Sequence, residues 1–174
     1  GAGYYYWDGS KWVMLLYGGS AGSAWLTLGN AGTVDGTNFI GTSDNIPFNI
    51  RVNNNKAGRI DGTQGNTFLG YQAGNSNTTG QGTGNTAIGY LTNFSNTSGD
   101  NNVAIGNSAL YSNVTGDLGV AIGRNSQYYA NSTVVPYDNS NTSVGVNSLR
   151  GSTTASANTG FANTAMGRDA QFSH

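Results

Sequence analysis

The sequence predicts an all-β chain, a repeat β-roll or β-helix with an N-terminal β-hairpin segment. Three observations predict it: apolar residues fall in short runs between polar turn clusters, residue usage disfavours helix, and one five-residue motif recurs six times. Asn, Gly, Ser and Thr dominate, and these favour turns or lose more entropy than Ala when fixed in helix. Only 9% of the 174 residues are charged while 36% are hydrophobic, which does not suit a highly charged disordered tail.

The motif sets the second domain. It reads Asn66-Thr-Phe-Leu-Gly70, Asn85-Thr-Ala-Ile-Gly89, Asn102-Val-Ala-Ile-Gly106, Gly119-Val-Ala-Ile-Gly123, Asn141-Thr-Ser-Val-Gly145 and Asn163-Thr-Ala-Met-Gly167. Successive glycines are 19, 17, 17, 22 and 22 residues apart, so the strand is specified while the connecting loop varies, as in stacked coils. Residues 62–174 are read as a six-rung β-roll and residues 1–61 as a hairpin and transition segment. At about 4.8 Å per rung, six rungs make a rod about 25 to 30 Å long.

Side chains alternate along a strand, so the residue before each glycine shares a face with the one two earlier. The first column is Leu69, Ile88, Ile105, Ile122, Val144 and Met166; the second is Thr67, Thr86, Val103, Val120, Thr142 and Thr164. Both are expected inside the coil as the structural repeat core, with Phe68, Ala87, Ala104, Ala121, Ser143 and Ala165 pointing out. The glycines mark a bend or positive φ. The leading asparagines either form an amide ladder from rung to rung or occupy turns that cap local backbone. Five residues after each glycine stand Asn75, Phe94, Tyr111, Tyr128, Arg150 and Phe172, a largely aromatic column that predicts a second seam.

Asn85-Thr-Ala-Ile-Gly-Tyr90 and Asn102-Val-Ala-Ile-Gly-Asn-Ser-Ala-Leu110 resemble the YadA-like head repeats of trimeric autotransporter adhesins and the related repeats of phage tail-fibre-like proteins. The resemblance spans about residues 62–174. It implies a left-handed parallel β-roll, a homotrimer, extracellular display and a role in adhesion or receptor contact. Gly119 stands where the motif has Asn, and Phe68 where it has a small residue.

Residues 1–65 break the period. Tyr4 to Trp7, then Asp8-Gly9, then residues 10–17 read as a hairpin, because Asp-Gly between strand-prone runs supplies the positive φ of a tight turn. Residues 18–23 are a Gly/Ser connection, residues 25–28 a short strand, and Asn38-Phe-Ile-Gly41 an echo of the motif. Residues 47–52 alternate apolar and polar as one half-buried strand before the turn Asn53-Asn-Asn55. These stretches are similar to collar segments of tail-fibre-like proteins. A lone hairpin is marginal in water, so its Tyr and Trp rings call for a partner surface, which three chains around one axis would supply.

A net charge of −1 and a pI near 5.5 offer no basic stripe, so nucleic acid is not expected as a partner. With no cysteine there is no disulfide, thiolate or Cys-ligated zinc. The longest apolar run, residues 12–17, is far short of the roughly 20 residues that span a bilayer, so this segment is not expected to insert in a membrane. No basic-then-apolar leader opens the chain. Starting mid-pattern at Gly1 and stopping soon after a motif, the chain is read as an excerpt whose export and anchoring elements lie elsewhere.

Catalytic, cofactor and metal sites are all read as none. His174 is the single histidine and glutamate is absent, leaving a thin acid–base inventory. Asp100, Asp117, Asp138 and Asp169 lie in turn-like stretches; as pairs they offer the one route to glycoside cleavage. Calcium at Gly99-Asp-Asn-Asn102 or Gly116-Asp117 is outweighed by plain solvated turns, since the Gly-Gly-x-Gly-x-Asp pattern is missing. Tyr71, Tyr90, Tyr111, Tyr128, Tyr129 and Tyr137 are either outward contacts for sugar rings or seam packing. The sequence therefore reads as a structural segment of an extracellular trimeric fibre or adhesin that attaches to a surface or host receptor. The alternatives are a glycan-binding module acting through exposed Tyr and Asn, and a polysaccharide-degrading fibre.

Overall fold

The computed structural model describes residues 4–14, 28–130 and 132–172. Residues 15–17 of the expected hairpin, the 18–23 connection, residues 25–27 of the expected short strand, and His174 lie outside the described residues. The chain forms two compact units, Gly1–Gly41 and Thr42–His174. Among the described residues the helical content is one 3₁₀ turn, Ala155–Ala157.

In the first unit, β1 (Tyr5–Trp7) pairs antiparallel with β2 (Trp12–Met14), Trp7 opposite Trp12. The loop between them has four residues. Asp8 closes it, its Oδ1 accepting the Ser10 and Lys11 N–H groups at 2.8 and 2.9 Å, while Gly9 takes φ 100°. Those backbone N–H groups, with the Ser10 hydroxyl, hold the Asp8 carboxyl below its usual range.

The second unit is a β-solenoid. Strands β3 (Phe48–Val52), β4 (Asn55–Asp61), β5 (Asn66–Leu69), β6 (Thr86–Ile88), β7 (Val103–Ile105), β9 (Val120–Ile122), β11 (Thr142–Val144) and β12 (Thr164–Met166) make one eight-stranded sheet in that spatial order. Between β7 and β9 lies the short β8 (Gly116–Asp117), which pairs in parallel with β10 (Tyr137–Asp138) in a second sheet. From β5 to β12 the large sheet is parallel and the register never slips: Leu69, Ile88, Ile105, Ile122, Val144 and Met166 are consecutive partners. β3 and β4 form an antiparallel hairpin on the β5 edge, turning at Asn53 and Asn54, both with positive φ as a tight hairpin turn needs. Residues assigned from sequence to the N-terminal segment thus cap the first rung. Lys56 reinforces the cap, its Nζ donating to the Asn75 carbonyl at 2.7 Å; burial, with Arg59 and Arg51 nearby, lowers its pKa.

The columns stack as expected, but the faces are reversed. Phe68, Ala87, Ala104, Ala121, Ser143 and Ala165 fill the coil and are nearly inaccessible, whereas Leu69, Ile88 and Met166 are exposed. The reason is the turn after each glycine. The glycine and the residues two and four positions later all take positive φ, as in Gly106, Ser108 and Leu110. The N–H at the second position bonds back to the preceding rung (Ser108 to Tyr90 O, 2.9 Å), and the N–H at the fourth bonds forward (Leu110 to Ser126 O, 3.0 Å). This winding turns the fourth residue into the coil: Leu110, Gln127 and Leu149 are buried there. A coil so filled leaves room only for a small residue on the strand's inner face, and the branched column is forced outside.

Each motif glycine from Gly70 to Gly145 also faces the glycine of the next rung directly. A Cβ at Gly123 would lie 2.4 Å from the Gly145 carbonyl oxygen, and φ there is 125°, so both space and backbone require glycine.

The asparagines form the ladder. Asn66 Oδ1 accepts the Asn85 N–H (2.8 Å), Asn85 Oδ1 the Asn102 N–H (3.0 Å), Asn102 Oδ1 the Gly119 N–H (2.8 Å), and Asn141 Oδ1 the Asn163 N–H (2.8 Å). At Gly119 a Cβ would meet Asn139 Nδ2 at 2.5 Å, so the Asn139 amide occupies the space of the missing rung. A second column, Asn77, Asn96 and Asn113, bonds the glycine carbonyls that close each coil.

Candidate functional site

The reversal places an apolar surface outside the coil. Carried through the register, its two columns are Phe48, Ile60, Thr67, Thr86, Val103, Val120, Thr142, Thr164 and Ile50, Gly58, Leu69, Ile88, Ile105, Ile122, Val144, Met166. Neither column contains a charged residue. Leu69 is 53% exposed and Met166 72%. Gly58 keeps the face level, since the Ile50 side chain lies where its Cβ would be, at 3.1 Å. With strands about 4.8 Å apart, the face runs about 34 Å along the rod. Parallel sheets are ordinarily covered on both faces, and a continuous apolar face of this length marks an interaction surface.

The aromatic column forms the predicted seam at the surface of the coil. Phe94 stacks on Tyr111 at 5.2 Å and Tyr111 on Tyr128 at 4.9 Å, both 5° from parallel. Arg150 continues the column, its guanidinium 5.7 Å from the Tyr128 ring and 5.2 Å from the Phe172 ring. The spacing follows the rung repeat, and a planar guanidinium can take an aromatic place in such a stack. Burial, then the nearby Tyr111 and Tyr129 hydroxyls, raise the Tyr128 pKa against the opposing pull of Arg150.

This geometry sorts the six tyrosines. Tyr111 and Tyr128 have both faces covered along the stack and show solvent their edges. Tyr129 packs edge-on to Tyr128 at 4.6 Å and lies beneath Arg150 at 4.9 Å. Tyr71 and Tyr90 stack on each other at 5.9 Å, Tyr90 remaining half exposed. Tyr137 is apart from the columns: its ring lies over Gly116, where a Cβ would meet the ring at 2.6 Å, and its hydroxyl bonds Asn113 Oδ1 at 3.0 Å.

The aspartates follow the rungs as well. Asp100 Oδ1 accepts the Thr83 N–H at 2.6 Å, Asp117 Oδ1 accepts the Asp100 N–H at 2.7 Å, and Asp138 pairs with Asp117 in register. Burial, with Asp100 and Asp138 adjacent, raises the Asp117 pKa despite the Asp100 N–H bond. Asp169 instead accepts from Asn147 Nδ2 at 2.8 Å and faces Arg168.

Sequence reasoning missed the second asparagine column and the extension of the outer face onto Phe48, Ile50 and Ile60. The first had a signal: Asn96-Thr-Ser-Gly99 and Asn113-Val-Thr-Gly116 share one spacing. Compared with protein-family models, curated proteins and solved structures, the chain matches none.

Proposed function

We propose that this chain is a structural segment of an extracellular homotrimeric fibre or adhesin, of tail-fibre type, serving attachment to a surface or host receptor. The observation that carries this reading is the uncharged outer face of the solenoid sheet, whose Leu, Ile, Val and Met side chains a single chain leaves exposed or half-buried. Full burial of one such side chain contributes about 1.5–3 kcal/mol, so eight strands of half-exposed aliphatics supply a large drive for association. A second copy presents the same surface in the same register. The choice of three copies rests on the resemblance of the rungs to the heads of trimeric adhesins. The remaining features suit a shaft: asparagine ladders, stacked rings and glycine contacts all tie each rung to the next, giving reach and stiffness.

Sedimentation velocity tests the proposal. The purified protein should sediment at three times the 18.0 kDa chain mass. I105D/I122D, which places two carboxylates in the apolar face, should sediment as a monomer. A wild-type monomer at micromolar concentration contradicts the proposal.

A further inference from the structure

The two longest repeats, each ending 22 residues after the preceding motif glycine, carry the loops that precede β11 and β12. Between these loops Tyr137, Asp138, Thr159 and Phe161 line an open cleft of about 480 Å³. That volume lies in the range of small-molecule sites.

The walls are unlike the other aromatic surfaces of the coil. Phe161 is 69% exposed, and no ring of the Phe94–Phe172 column stacks on it. Tyr137 is held rigid, its ring against the Gly116 backbone and its hydroxyl on Asn113. One fixed ring and one exposed ring therefore share a cleft with a carboxylate, Asp138, and a hydroxyl, Thr159, both at the surface. A pyranose fits this chemistry. Its axial C–H groups carry partial positive charge and favour the negative face of an aromatic ring, and its hydroxyls donate to a carboxylate. A wall already held in place lowers the ordering cost of binding.

Charge then selects among sugars. No basic side chain lines the cleft, and Asp138 is in register with Asp117, whose own neighbour is Asp100. Sialic acids, uronic acids and phosphosugars would be repelled by this acidic column, whereas uncharged sugars would not. We infer that the Tyr137–Asp138–Thr159–Phe161 cleft binds an uncharged pyranose unit of a surface glycan and rejects anionic sugars. This rests on the attachment reading above and gives it a ligand class.

Saturation-transfer NMR on the intact protein tests the inference. The probes are the methyl glycosides of glucose, galactose, mannose and N-acetylglucosamine, with sialic acid and glucuronic acid as anionic comparators. At least one uncharged glycoside should show saturable transfer, strongest at the C–H protons of one ring face, and the acids none. F161A should weaken binding at least about tenfold, the scale of one aromatic contact, and D138N should weaken it too. Both should keep the wild-type sedimentation coefficient, because both positions are exposed. Absence of saturable transfer from every uncharged glycoside, preference for the acids, or undiminished binding in both variants overturns the inference. A trimer that binds no sugar removes the cleft and leaves the fibre; a monomer that binds sugar does the reverse.

Discussion

The ring of Phe68 lies against the backbone of Gly74, where a Cβ would be 2.5 Å from its Cε2. The rungs built on Ala104 and Ser143 divide the same interior the other way, with a small strand residue facing Leu110 or Leu149 in the place of Gly74. Volume is conserved across the pair, not at each position. F68A alone should therefore cost about 3–5 kcal/mol, through the cavity it leaves. G74L alone should overpack the rung. Because Leu110 and Leu149 hold φ of 51° and 47° in that position, the F68A/G74L double variant should recover most of the loss in urea unfolding. A strictly additive double variant would show that the two sites do not share one space.

Asn93 occupies the same interior column, fully buried, and neither its Oδ1 nor its Nδ2 has a hydrogen-bond partner. An orphaned buried amide costs about 1–3 kcal/mol. N93L should raise the melting temperature, since Leu110 and Leu149 already hold this φ in two other rungs and Ala87 leaves it the room that Ala104 leaves Leu110. Thermal unfolding decides it, and a lowered midpoint would mean that the amide is satisfied.

Position 119 makes the reverse prediction. Asn is the motif residue there, so consensus design would install it, yet Asn139 Nδ2 already fills that space. G119N should destabilise, whereas G119N/N139G should restore a continuous ladder from Asn102 to Asn141. Their denaturant midpoints separate the cases, and a stabilising G119N single variant would contradict the substitution of one amide for the other.

The Asp117 carboxyl gives a pH signature. Its folded pKa is raised above 3.8, so as pH climbs through that window the unfolded chain releases its proton first and stability falls. D117N keeps an oxygen acceptor for the Asp100 N–H and removes the titration. The melting temperature of D117N relative to wild type should be near parity at pH 3 and should rise toward pH 6. A difference independent of pH would remove the acidic column as its cause.

Much of the solenoid was legible because its rules are local. The glycine spacing marks the rungs, β-branched columns mark strands, and the recurrent aromatic position marks the seam, each visible as a repeated residue type. Which face of the strand turns inward was not legible. Period-two alternation separates the Ile105 face from the Ala104 face without giving the sign, and the sign depends on Leu110 entering the coil from a backbone conformation that Leu seldom adopts. The N-terminal cap was missed for a different reason: Asn53-Asn54 was read as a turn, but Asn55–Asp61 carries Lys56, Gly58, Arg59 and Asp61 and does not look like a strand, so its hairpin with β5 across residues 62–65 was not legible. The tyrosines looked alike in sequence, and only the stacking distances separate Tyr111 and Tyr128, with covered faces, from Tyr137 in its cleft.

The central claim, that the outer Ile column is covered by other copies of the chain, is tested most directly by thiol accessibility, because the chain has no cysteine of its own. Ile122→Cys and Arg124→Cys lie two residues apart, the first on the apolar face and the second exposed in the turn that follows. Maleimide should label Arg124→Cys rapidly in the native protein and reach Ile122→Cys only after unfolding or dissociation. Equal native labelling rates at the two positions would contradict the account.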